Sequence, residues 1–289
     1  MLQSVALVGA THGNETSGIQ LIKNWLKSGI PAQYDNALSM SLHLANQEAL
    51  KANVRFVEQD LNRQFSESAL KAEGDSKEAR LAQKINAQFG PKGNANTDLV
   101  IDIHNTTSAM GATLIILEAS EFYIQMARFV KQKMPEANIL LENEKPVSEH
   151  GYLCTTGKYG VMLEIGGQPQ GVLKQEVFQL TEALTLAVLD FCLAYQQGQT
   201  DDLPACEVYQ LGHEVYFPLS ESGEREAMVH YQLQDADFAP LLAGQPIFKC
   251  FDGSEIVWEG ESPTYPHFIN EAAYATQHVA FATASVTTL

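Results

Sequence analysis

His12 and Glu15 stand three positions apart in "VALVGATHGNE", directly after a short apolar run. His104 ends a second such run, "DLVIDIH", and Glu164 sits inside a third, "GVMLEIG". Two imidazoles and one carboxylate are a ligand set of catalytic zinc, which leaves a coordination position open for water. The ion polarises a carbonyl and lowers the pKa of its water towards about 7. A further carboxylate, not bound to the metal, must then take and return the proton. Glu164 fits that role. Asp102 lies two residues before His104 and shares its strand face, so it can accept a hydrogen bond from a ligand imidazole.

Each residue also has a plainer explanation. HxxE in a loop is commonly accidental, His104 could be a packed strand-end histidine, and Glu164 could be a buried structural carboxylate. A charge within "VMLEIGG" is costly to bury without a partner or a function. What points to a metal is the shared placement at strand ends. His43, His150, His213, His230, His267 and His278 have no such company and read as surface or packing residues. A second cluster is "RFVEQDLNRQF", residues 55–65. Asn62 and Arg63 could hold a carboxylate, with Arg63 suited to bidentate pairing. Arg55 could stabilise a developing oxyanion. A solvated loop with an Arg–Asp pair explains the same residues equally well. Other chemistries fail: there is no GxSxG nucleophile elbow. "GYLCTTGKYG" has five residues between its glycines and a tyrosine where a P-loop needs Ser or Thr.

The elements that must position these residues follow from hydrophobic period. Strands are predicted at 4–9, 38–44, 98–104, 113–117 and 160–166, and helices at 16–28, 76–89, 122–133 and 176–197. Strands alternating with helices indicate an α/β domain with a parallel or mixed sheet. Ligands of open α/β sheets bind outside the carboxyl ends of strands, where His12, Glu15, His104 and Glu164 all fall. Gly9 and Gly13 are expected to let the chain turn tightly there. Beyond "QQGQTDDLPAC" the texture changes to short alternating runs rich in turn residues. This places a catalytic domain at 1–200 and a smaller, β-rich domain at 201–289.

The chain has 289 residues, 45% of them hydrophobic, and a net charge of -17. Such a surface repels phosphate backbones and anionic lipid, which argues against nucleic-acid and membrane partners. No uninterrupted apolar run approaches the roughly 20 residues of a membrane span, and the N-terminus is not shaped like a signal peptide. Cys154, Cys192, Cys206 and Cys250 form no CxxC pair and read as reduced thiols of a cytoplasmic protein. Sequons at Asn14 and Asn105 adjoin the candidate ligands, where glycans would block the site.

Taken together, the motifs resemble the aspartoacylase and succinylglutamate desuccinylase family of zinc carboxypeptidase-like hydrolases, nearly end to end. The resemblance implies a mixed central sheet with helices on both faces, and a β-rich C-terminal domain capping the cleft. "GATHGNETSG" and "DIHNTTS" imply one zinc per chain on His12, Glu15 and His104. "EIGGQPQGVL" implies Glu164 as general base, and "DLNRQF" implies Asn62 and Arg63 on the substrate carboxylate. The resemblance further implies Arg55 on the acyl carbonyl and, from "NEAAY", Tyr274 in the site. The expected substrate is a small N-acyl amino acid, N-acetylaspartate first, with a homodimer compatible with the family. One departure stands out: family members carry a substrate-binding arginine after a "TT" pair, whereas "CTTGKYG" has Gly157. Lys158 is the nearby cation that could replace it, and Tyr152 the nearby substrate-contacting tyrosine. The alternatives are an aminoacylase for N-acetyl aromatic or neutral amino acids, a succinylglutamate desuccinylase, or a non-catalytic small-molecule or metal-binding protein.

Overall fold

The structure is a computed structural model and describes residues 2–72, 74–260 and 263–289. The strands are β1 (Ser4–Gly9), β2 (Ser39–Leu44), β3 (Leu99–Asn105), β4 (Ala112–Ile116), β5 (Asn138–Leu141), β6 (Tyr159–Ile165), β7 (Glu207–Tyr216), β8 (Ala227–Val229), β9 (Pro246–Cys250), β10 (Glu255–Val257) and β11 (Val279–Thr288). The α-helices are α1 (Thr16–Ser28), α2 (Ala32–Asp35), α3 (Gln47–Ala52), α4 (Glu67–Lys71), α5 (Lys77–Phe89), α6 (Glu121–Lys133) and α7 (Gln175–Gln196). Among the described residues, eight strands form one sheet in the order β11-β7-β5-β4-β6-β3-β1-β2. β2, β1, β3 and β6 run parallel, β4 runs against β6, and β11 runs against β7.

Every residue of β3 is buried, which is why "LVIDIHN" reads as a nearly unbroken apolar run. Alternation along the strands sends successive side chains to opposite faces. On one face Leu7, Ile101, Ile103, Leu114, Val161 and Leu163 pack with apolar residues of α1, α6 and α7. On the other, Val8, Val100, Ile115, Leu140 and Met162 pack with Ala82, Ile85 and Phe89 of α5 and with Leu61, Phe65 and Leu153. Asp102, His104 and Glu164 continue this second face at its carboxyl end. By length and composition α7 could cross a membrane, but Leu184, Val188 and Phe191 bury its apolar side in the first core.

The mixed sheet with helices on both faces and the β-rich C-terminal part agree with the expected fold class. Beyond residue 200 the strands divide between two sheets. β7 and β11 extend the edge of the central sheet, while β8, β9 and β10 form a small sheet of their own. The edge of the main sheet offered unpaired backbone groups that the two long C-terminal strands satisfy. β5, only four residues long, escaped the periodicity reading, as did the short helices α3 and α4. All four cysteines are free thiols.

Candidate active site

β1, β3 and β6 end side by side, and their carboxyl ends bring His12, Glu15, His104 and Glu164 into one pocket. The turn after β1 is built differently from expectation. Neither Gly9 nor Gly13 adopts positive φ; Ala10 does, at 59°. Gly13 is needed for space instead, because a Cβ there would lie 2.0 Å from the Ala49 backbone of α3.

The metal-type cluster is compact: one ligand atom from each of His12, Glu15 and His104 lies within 4.8 Å of the others. All three residues are buried. Glu15 Oε1 lies 2.6 Å from His12 Nδ1, and Oε2 lies 2.9 Å from His104 Nδ1. The two Nδ1 atoms are 3.2 Å apart. Each ring turns its other nitrogen to a carboxylate: His12 Nε2 to Asp60 at 2.9 Å, His104 Nε2 to Asp102 at 2.8 Å. This pattern assigns the ring proton to Nε2 and aims both Nδ1 lone pairs at the centre. Converging acceptors of this kind are held together only by a proton or a cation, so the residues fit a metal ion. Burial opposes protonation of His104, but Asp102 and Glu15 raise its imidazole well above the ordinary value. Burial likewise works against Glu15, yet His12 and His104 hold its carboxyl far below the usual range.

Asp60 joins three parts of the site and was not singled out from the sequence. Its Oδ1 accepts from His12 and from the Asn62 backbone N–H, and its Oδ2 from Nε and Nη2 of Arg55. The aperiodic loop around it is shaped by a buried residue on α5. Glu78 accepts from the N–H groups of Val57, Glu58 and Gln59. Arg55 also donates from Nη1 to Glu15 Oε1 at 3.0 Å, so much of its fork is already engaged. The Asn62 amide oxygen accepts from Leu153 N–H at 2.7 Å, which ties it to the pocket wall. Arg63 uses Nη1 on the Asn62 carbonyl and lies 5.5 Å from the Tyr152 ring centroid. Arg55, Asn62, Arg63, Tyr152 and Tyr274 all line the pocket.

Glu164 pairs with His104 in the β3–β6 register. Burial, together with Glu15 and Glu271, pushes its carboxyl well above the usual range against the pull of His104 and Arg55. Glu271 also escaped the sequence reading as a site residue. It accepts from Thr106 and Thr107, clamping the segment that carries Tyr274 onto the loop after His104.

Lys158, expected to replace the family's arginine, lies outside the pocket. It lies at the amino end of β6, six residues before Glu164, and strand rise puts about 20 Å between their backbones. Its ammonium rests near the Tyr159 ring, 5.4 Å from the centroid, and it does not line the pocket. It cannot stand in for the missing arginine.

Residues 1–192 match the succinylglutamate desuccinylase/aspartoacylase catalytic domain, and residues 204–286 match the AstE/AspA barrel-sandwich hybrid domain. The chain belongs to the succinylglutamate desuccinylase/aspartoacylase family. Like its characterised relatives in that family, it is an amidohydrolase. A Xenopus tropicalis relative named N-acyl-aromatic-L-amino acid amidohydrolase (carboxylate-forming) is 39% identical over 97% of this chain and 92% of its own. An aspartoacylase from Danio rerio is 38% identical over 96% and 90%. The crystal structure of murine aminoacylase 3 superposes with a TM-score of 0.91 at 36% identity, over 100% of this chain and 96% of that one. This family member therefore has similar relatives of two differently named specificities.

Proposed function

We propose that the chain hydrolyses the amide bond of N-acyl amino acids, with zinc held by His12, Glu15 and His104. The observation that carries this reading is the juxtaposition of that acceptor cluster with Glu164 in a pocket that also holds Arg63 and Tyr274. When bound, zinc supplies Lewis acidity to the amide carbonyl and to the attacking water. Asp60 and Asp102 hold the two imidazoles in the tautomer that offers Nδ1. Glu164 makes no hydrogen bond among the described residues, so its carboxylate is available to take the proton from water and deliver it to the leaving nitrogen. Burial raises its basicity in keeping with that task.

The guanidinium of Arg55 is fixed by Asp60 and Glu15, and its remaining N–H groups stabilise the oxygen that gains charge. Arg63 keeps donors beyond the one spent on Asn62 and is the group that anchors the substrate α-carboxylate. Tyr274, whose hydroxyl has no partner among the described residues, assists it. The free cysteines and the sequons beside the ligands favour a cytoplasmic enzyme.

The test is release of free amine from a panel of N-acetyl amino acids by purified protein, before chelation, after it, and after zinc is restored. Hydrolysis should vanish with the metal and return with it. Zinc-loaded protein that cleaves no member of the panel would overturn the reading.

A further inference from the structure

The pocket does not end at the strand termini. It continues along the sheet face from Glu164 past Met162 and Ile115, which lie opposite one another in the β4–β6 register. At its far end stands Glu142, one residue beyond β5 and, by alternation, on the face of Leu140. Glu142 is 6% exposed. Its Oε2 accepts from the Tyr152 hydroxyl at 3.1 Å, while Oε1 has no hydrogen-bond partner among the described residues. That oxygen is not enclosed by protein, so it opens onto the pocket and faces whatever occupies it.

Outside the metal cluster, the described pocket lining offers only Arg55 and Arg63. Arg55 is committed to Glu15 and Asp60 on three of its donors. Arg63 is thus the one cation left for a substrate carboxylate. A substrate with a second carboxylate, on its side chain, finds no further cation and meets Glu142 instead. The walls between, Ile115, Met162 and Phe268, are apolar.

We propose that Glu142, held by Tyr152, closes the side-chain subsite and selects N-acyl amino acids with neutral side chains, aromatic ones included, over those with anionic side chains. This rests on the hydrolase reading above and specifies its substrate class. The carboxylate–carboxylate repulsion acts on substrate binding, so it falls on KM before kcat. The groups facing Glu142 are Glu144 and Lys145 on its own segment and Tyr152, Arg63 and Tyr274 from elsewhere. Burial and Glu144 push its carboxyl up to about 7, against Tyr152, Arg63 and Lys145. At pH 8 the repulsion is therefore present, and at pH 6 it is mostly relieved.

The experiment compares kcat/KM for N-acetyl-L-phenylalanine, N-acetyl-L-leucine and N-acetyl-L-aspartate at pH 8, in the native protein and in Glu142→Gln. The native protein should favour the neutral substrates. The variant should raise kcat/KM for the aspartate substrate about tenfold through KM, the effect of roughly one pKa unit of interaction, and leave the neutral ones within about twofold. The native protein supplies a second measurement that needs no variant. Its aspartate-to-phenylalanine ratio should rise as pH falls from 8 to 6, where the substrate carboxylates stay ionised. An unchanged ratio in both measurements, or a native preference for the aspartate substrate, overturns the proposal. If nothing is cleaved, the hydrolase reading fails, and calorimetric binding of the same three compounds judges the subsite. Tighter binding of the neutral pair supports it, and equal or tighter binding of the aspartate compound overturns it.

Discussion

His12 Nε2 lies 2.9 Å from Asp60 Oδ1, a carboxylate 48 positions further along the chain. The contact fixes which nitrogen of His12 faces Glu15, and the same carboxylate anchors Arg55 and caps the 3-10 turn of Asn62. Asp60→Asn keeps the shape but weakens all three. Orienting carboxylates of this kind are worth about 10- to 100-fold in metal affinity or activity. Zinc affinity by chelator competition should fall within that range while the fold stays intact by circular dichroism; undiminished affinity would remove Asp60 from the site's machinery.

Glu164→Ala separates proton transfer from metal binding. The variant should bind zinc stoichiometrically by elemental analysis and lose roughly 100- to 10,000-fold in kcat, the usual contribution of a positioned acid–base group. Retention of full turnover would move the general base elsewhere.

Gly13→Ala tests the turn that delivers His12. Its Cβ would meet the Ala49 carbonyl carbon at 2.0 Å, a backbone atom that cannot swing away. Overpacking of this sort costs about 1–3 kcal/mol, and more where backbone must move. Thermal unfolding should show the loss of stability, together with weakened zinc binding. A variant with native melting behaviour and native metal affinity would show that α3 yields easily.

Stability should also depend on pH through Glu142. Its carboxyl rises from an ordinary 4.5 to about 7 on folding, because burial and Glu144 outweigh Tyr152, Arg63 and Lys145. The folded chain thus holds this proton more tightly than the unfolded one. The stabilisation it brings is complete below about pH 4.5 and is lost as pH rises towards 7. In denaturant titrations, the native protein should lose stability relative to Glu142→Gln across that window and run parallel to it above. A difference that is flat or grows with pH contradicts the assignment.

The residues most legible in the sequence are those at the ends of buried strands. An apolar run reports that consecutive residues are covered on both faces; His104 and Glu164 fall within such runs at a cost that marks them out, and His12 follows one directly. Asp102 was legible for a related reason, since period two places it on the face of His104. The overall α/β alternation came from the same local signal.

What the tertiary structure decided is everything set by loops and by register between distant segments. Asp60 carries no periodic signature, because its loop is shaped by hydrogen bonds to Glu78 on α5 rather than by burial of one face. Glu142 follows a strand too short to stand out, and only the β4–β5–β6 register brings it to the end of the pocket. Lys158 is near Glu164 in sequence but not in space, because an extended strand separates its two ends by its full length. Local pattern identified the groups able to hold a metal and move a proton. Which carboxylates orient them, and which one faces the substrate side chain, depended on long-range packing, which single-chain periodicity does not encode.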